Sequence, residues 1–169
     1  MRKALDTLYD AAAWLAAACM TGTLVMVVLG MVDRYITLGL PGTDMYAGYF
    51  MAGAGFLALA HTLKRGEHIR VTLLLASVGP RARRVLERFS LLVAVLLSGA
   101  LAWYSIVLAY QSWSFHDVST GNDATPLWIP QIGMALGTVV LCVAFVDELQ
   151  LEWRGLRVVV QSDEALHNE

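Results

Sequence analysis

Four long, almost unbroken apolar stretches, separated by polar segments, organise the chain: about 11–32, 45–63, 89–112 and 127–146. Each approaches the roughly 20 residues that a helix needs to cross a hydrocarbon core of about 30 Å. None has an Asp, Glu, Lys or Arg in its middle. In lipid each backbone N–H and C=O must find its partner within the segment, so runs of this length predict helices. Barrel strands alternate polar and apolar residues over about ten positions, and these runs do not. The pattern predicts an all-α integral membrane protein of four transmembrane helices, forming a single membrane domain over 1–169.

A fifth apolar stretch, 69–78, is about half a span long, edged by Arg70 and Arg81 and closed by Gly79-Pro80. Such a segment predicts a short interfacial amphipathic helix, lying in the headgroup plane between spans two and three. The first apolar run, 11–32, is longer than the about 7–15 residues of a signal-peptide core, so it reads as a retained span. The polar segment 148–169 reads as a tail, frayed toward its end.

Composition strengthens the membrane reading. The chain is 57% hydrophobic and 15% charged, against about 45–50% and 25% in soluble domains. Placement of the basic residues then sets orientation. Arg2 and Lys3 precede span one; Lys64, Arg65, Arg70, Arg81, Arg83, Arg84 and Arg88 lie between spans two and three; Arg154 and Arg157 follow span four. With only Arg34 on the other side, eleven of twelve basic residues share one face. The positive-inside bias assigns that face, and both termini, to the cytoplasm. The Arg81–Arg84 cluster would also attract anionic membrane lipids, at about 1 kcal/mol per basic residue. A net charge of -2 gives no reason to expect a nucleic-acid partner.

Candidate chemistry is sparse. Cys19 and Cys142 lie in apolar runs and form no C-x-x-C pair, which removes zinc, c-type haem and thiol-redox readings. His61 and His68 fall near the inner end of span two, His116 in the outer loop and His167 in the tail. A haem between helices needs two axial ligands at matching depth. That mismatch leaves a haem or quinone membrane anchor of a respiratory complex as the rival reading only. No phosphate loop or nucleophile–base set is visible, so neither enzymatic activity nor a cofactor is expected. Solute carriers show intramembrane ionisable groups or helices broken at midplane, and neither occurs in these spans.

Several smaller features have structural readings. Gly133 and Gly137, and Gly48, Ala52 and Gly55, stand at spacings that let helix backbones approach closely, within this bundle or against a partner helix. Tyr46, Tyr49, Trp113, Phe115 and Trp128 fit an outer aromatic belt. Asp33 and Arg34 are expected to form a local ion pair. These features describe a small helical membrane subunit of a larger complex.

The stretch 57–75, LALAHTLKRGEHIRVTLLL, resembles the signature of the small membrane subunit of tripartite ATP-independent periplasmic (TRAP) transporters. There a span ends in a basic pair, followed by Gly-x-His-Ile-Arg-Val; here these are Lys64, Arg65, Gly66, His68, Ile69, Arg70 and Val71. A second block, TPLWIPQ at 125–131, opens the last span ahead of Gly133 and Gly137, and the run at 80–84 is also typical. Thr72 departs from the pattern, where an acidic residue is more usual. The resemblance implies a subunit of the bacterial cytoplasmic membrane that pairs with a large membrane subunit. That partner would bind substrate and sodium ions and move by an elevator mechanism, while a periplasmic binding protein captures a carboxylate or sulfonate solute. The small subunit would then be a scaffold without cofactor or ion of its own. The residues it implies for contacts with the partner subunit or lipid are Lys64, Arg65, Gly66, His68, Ile69, Arg70, Arg81 and Arg84 at the inner end. Trp128, Pro130 and Gln131 would set the outer entry of span four.

Overall fold

The computed structural model describes residues 2–36, 39–65 and 79–154. The interfacial helix expected over 69–78 and the tail beyond 154 lie outside the described residues. Four helices make up the fold: α1 (Arg2–Ile36), α2 (Thr43–Lys64), α3 (Pro80–Ser114) and α4 (Trp128–Trp153). Three are long and apolar enough to cross a membrane, over Lys3–Ile36, Arg81–Ser114 and Trp128–Trp153. The 22-residue α2 has sufficient length, but Gly48, Gly53, Gly55, Tyr46, Tyr49 and His61 dilute its apolar character.

Local chemistry sets the helix ends. Gly42, at φ 83°, turns the chain into α2, in a left-handed conformation that glycine adopts without strain. Pro80 opens α3, where its fixed φ suits the first turn and its missing N–H costs nothing. Both α1 and α3 have 35 residues, about 52 Å at 1.5 Å per residue, so each outruns its apolar stretch with polar turns.

In the packing, α2 lies between α1 and α4, α3 packs on α4, and α1 meets α4 only briefly. That meeting is a small core of Tyr9, Ala60, Leu63, Leu141 and Ala144. The inward face of α1 is Tyr9, Ala12 and Ala16, and that of α3 includes Leu91, Ser98, Ser105 and Ser112, all buried. The α3 positions recur every seven residues, the repeat of a left-handed helix seam. Their hydroxyls need partners in lipid, and the helix itself supplies them. Ser98 Oγ donates to the Val95 carbonyl at 3.2 Å and Ser105 Oγ to that of Leu101 at 2.7 Å. Thr138, fully buried in α4, donates to the Ala135 carbonyl at 3.0 Å.

Glycines set how closely the helices approach. A Cβ on Gly133 would lie 3.5 Å from Gly53 Cα. One on Gly137 would lie 2.5 Å from both the carbonyl carbon and the oxygen of Phe56. The Gly133/Gly137 pair therefore closes the α2–α4 crossing inside the bundle. Outside it stand Trp14, Met20, Leu24, Leu96, Leu97 and Trp103, all exposed. Such a surface suits lipid and not water.

Candidate subunit and lipid interface

One end of the bundle gathers charge. Lys64, in the last turn of α2, donates through Nζ to Asp147 Oδ2 and, at 3.0 Å, to Glu148 Oε1 of α4. Its ammonium also sits 5.4 Å from the centre of the Tyr9 ring of α1, within range of a cation–π attraction. These three side chains are only 20%, 20% and 11% exposed. One lysine thus ties α1, α2 and α4 together. His61 Nδ1 lies 3.6 Å from Asp10 Oδ1, adding an α1–α2 contact. Arg88 Nε lies 3.8 Å from Glu152 Oε1 and draws the start of α3 to the end of α4.

The other end is fastened by an ordered loop. Between α3 and α4, Ser119 N–H donates to the Thr125 carbonyl at 2.8 Å and Leu127 N–H to that of Asp117 at 3.0 Å. The loop meets the start of α2 through two tyrosines. Tyr49 Oη donates to Asp123 Oδ2 at 3.0 Å, and Thr125 Oγ1 donates to Tyr46 Oη at 3.0 Å. A Cβ on Gly42 would lie 2.6 Å from that of Asp123, so only glycine admits this approach. Tyr46 and Tyr49, expected as belt residues, also anchor the loop, their rings edge to face with centroids 6.0 Å apart. Arg34 pairs with Asp44 at 3.9 Å, not with Asp33, whose carboxylate accepts from Leu40 N–H at 3.3 Å. Adjacent residues on a helix point in different directions, which disfavours the Asp33–Arg34 pair.

The Ser119 hydroxyl above all, and then those of Thr125 and Tyr49, hold the Asp123 carboxyl below its ordinary value, against the opposing effect of burial. Because the folded value is the lower one, the Tyr49–Asp123 contact stabilises the fold wherever the unfolded carboxyl is ionised. It is lost only as pH falls through the lowered value, below about 4. Tyr49→Phe should therefore lower the melting temperature by about 2–4 °C, by the same amount from pH 8 down to about pH 5. Melting curves of both proteins in detergent test this; a gap that closes between pH 8 and 6 rules the contact out as its source.

The residues singled out as interface candidates fall into two groups at opposite ends of the bundle. At the charged end, Lys64 turns inward, whereas Arg65, Arg81 and Arg84 are exposed. Arg65 closes α2, its N–H donating to the His61 carbonyl at 3.0 Å. Gly66, His68, Ile69 and Arg70 lie outside the described residues. At the loop end, Trp128 and Pro130 are half-buried in the first turn of α4, and Gln131 keeps its Oε1 buried without a hydrogen-bond partner. The histidines are also separated: His61 faces Asp10 at the charged end, and His116 follows α3 at the other. Among the described residues no three His, Cys, Asp or Glu side chains gather to hold a metal ion.

A helical membrane bundle with its charge at the helix ends is the class the geometry defines. The family described as tripartite ATP-independent periplasmic transporters, DctQ component, matches residues 23–155. The chain belongs to that family, a component of a transporter and not an enzyme. No curated protein matches the chain, and no solved structure does.

Proposed function

We propose that this chain is the stationary scaffold subunit of a binding-protein-dependent, sodium-coupled transporter for small organic anions of the carboxylate or sulfonate class. On this reading all four helices span the bacterial inner membrane, with both termini cytoplasmic. A large elevator-type subunit binds substrate and sodium ions, and a periplasmic protein delivers the solute. The observation that carries the reading is the distribution of charge. The apolar stretches of all four helices hold no Asp, Glu, Lys or Arg, and the described ion pairs lie toward the helix ends. A subunit that carried an ion or an anion itself would need polar groups at midplane. Membership of a transporter-component family supports a reading in which the chain works with other subunits.

Orientation follows the same charges. Lys3, Lys64, Arg65, Arg81, Arg83, Arg84, Arg88 and Arg154 gather at the Lys64 end, and Arg34 lies at the other. The positive-inside bias puts the Lys64 cluster at the cytoplasmic face and the Asp123 loop at the periplasmic face. There Arg65, Arg81 and Arg84, together with Gly66, His68, Ile69 and Arg70, would meet headgroups or the large subunit. Trp128, Pro130 and Gln131 would lie toward the binding protein.

The test is co-expression with the large subunit, a tag on this chain only, purification in mild detergent, and reconstitution. Uptake that requires both membrane subunits, the binding protein and an inward sodium gradient is the expected result. A chain that purifies alone and transports by itself, or carries a haem absorption band, overturns the reading.

A further inference from the structure

The cations at the Lys64 end differ in whether the protein itself neutralises them. Lys64 faces Asp147 and Glu148, Arg83 Nε lies 3.1 Å from Glu87 Oε1, and Arg88 Nε lies 3.8 Å from Glu152 Oε1. Arg81, the second residue of α3, is exposed. It makes no ion pair with any described residue. Val85, Phe89, Leu92 and Leu96 follow it at intervals of three or four residues, so they continue the same face of the helix. All four are exposed, because the side of α3 that is buried against α4 is the one holding Leu91, Ser98, Ser105 and Ser112.

A guanidinium standing one turn, about 6 Å, before a row of exposed apolar side chains sets two requirements on its occupant. It must bring negative charge at the edge of the membrane and apolar surface just inside it. A soluble anion would leave the row bare, and an uncharged helix would leave Arg81 without a partner. A phospholipid meets both requirements in one molecule. Val85 and Leu96 are eleven residues apart, about 16 Å along the axis, the depth of one leaflet of a hydrocarbon core about 30 Å thick. A guanidinium can give two parallel N–H donors to phosphate oxygens. In a zwitterionic headgroup the phosphate is already balanced by its own ammonium, whereas an anionic headgroup keeps a net charge for basic residues to attract. Arg88, two turns on and 49% exposed, adds positive charge beside the same row.

We propose that Arg81 holds the phosphate of an anionic phospholipid whose acyl chain lies along Val85, Phe89, Leu92 and Leu96 of α3. The proposal rests on the reading that puts this end of the bundle at the inner leaflet. It deepens that reading by assigning Arg81 to lipid and not to the large subunit.

Native mass spectrometry of the full chain in mild detergent, with added phosphatidylglycerol or phosphatidylethanolamine of identical acyl chains, compares the two headgroups. Phosphatidylglycerol should bind about fivefold tighter or more. Arg81→Gln should bring it down to the phosphatidylethanolamine level, and Arg34→Gln, at the other end of the bundle, should change nothing. Val85→Glu gives Arg81 a carboxylate one turn away and should abolish the preference with Arg81 still in place, a readout that serves even where the Arg81 variant misfolds. Equal binding of the two lipids to the parent overturns the proposal, as does a preference that survives both Arg81→Gln and Val85→Glu. So does displacement of the lipid by inorganic phosphate, the mark of a free-anion site. A photo-crosslinker at Val85 that reaches the large subunit and not lipid in the assembled complex overturns it too. A micelle has no sides, so this binding is separate from the orientation, which impermeant-thiol labelling of Arg81→Cys from either side of a vesicle decides.

Discussion

Replacing Lys64 with methionine should be among the most damaging single changes in the protein. The Lys64 ammonium faces both Asp147 and Glu148, which are 20% and 11% exposed. Removing one partner of a buried ion pair leaves the other charge without compensation, which costs about 3–5 kcal/mol. The same substitution removes the charge over the Tyr9 ring, and so acts on all three helices that meet there. Little folded protein should be recovered from membranes, and what remains should melt well below the parent. Removing the carboxylates as well distinguishes a charge effect from a packing effect. In a triple variant with Asp147→Asn and Glu148→Gln the two carboxylates that face Lys64 are gone as well, and replacing an ion set together is often close to neutral. Most of the lost stability should return. A single variant within about 1 kcal/mol of the parent, or a triple variant as unstable as the single, shows that the cluster does not hold the helices together.

The asymmetry between the two ends bears on the scaffold role proposed above. At the Lys64 end, ion pairs reach from α2 to α4 and from α3 to α4, and the His61–Asp10 contact joins α1 to α2. At the other, the loop after α3 is hydrogen-bonded to the start of α2. Helices fastened to one another at both ends resist sliding, and packed interfaces of this kind do not deform gradually. That rigidity is what a scaffold for a moving partner requires, and it needs no polar group at midplane.

Much of this was legible in the sequence. The apolar stretches place the cores of all four helices, because length and absence of charge are properties of single segments. Gly133 and Gly137 were legible as packing residues from their four-residue spacing. Their partners were not, since nothing in the sequence says that the Phe56 backbone lies against Gly137. The same limit hides the Lys64 cluster: 83 residues separate Lys64 from Asp147, and only the parallel packing of α2 against α4 brings the two helix ends together. The serine seam of α3 carried a signal that went unread. Ser98, Ser105 and Ser112 repeat every seven residues, but a search for apolar periodicity passes over hydroxyls that a helix can satisfy internally. The loop contacts of Tyr46 and Tyr49 were not legible, because 79 and 74 residues separate them from Thr125 and Asp123 respectively.

Substitution at Gly137 separates packing from helix propensity, because the two act with opposite sign. A methyl group there would lie 2.5 Å from the Phe56 carbonyl carbon and oxygen and 2.8 Å from its Cβ. These are not the far end of a flexible side chain, so relief has to come from moving α2 away from α4. That movement would also open the Gly53–Gly133 approach and loosen Ala60 against Leu141 and Ala144. Overpacking of this kind costs about 1–3 kcal/mol, and a backbone obstacle puts it at the upper end. The gain in helix propensity from glycine to alanine returns at most about 1 kcal/mol. Gly137→Ala should therefore be net destabilising by about 1–2 kcal/mol, a fall in melting temperature of roughly 2–8 °C. Gly137→Leu should exceed about 3 kcal/mol and prevent the bundle from closing. Gly55→Ala makes the same propensity gain in open space and should be neutral or raise the melting temperature slightly when the chain is studied alone. Thermal unfolding of the three variants in one detergent decides the matter. Equal effects at Gly137 and Gly55 mean that α2 and α4 do not cross at Phe56, whereas opposite signs place the closest helix contact of the bundle at that point.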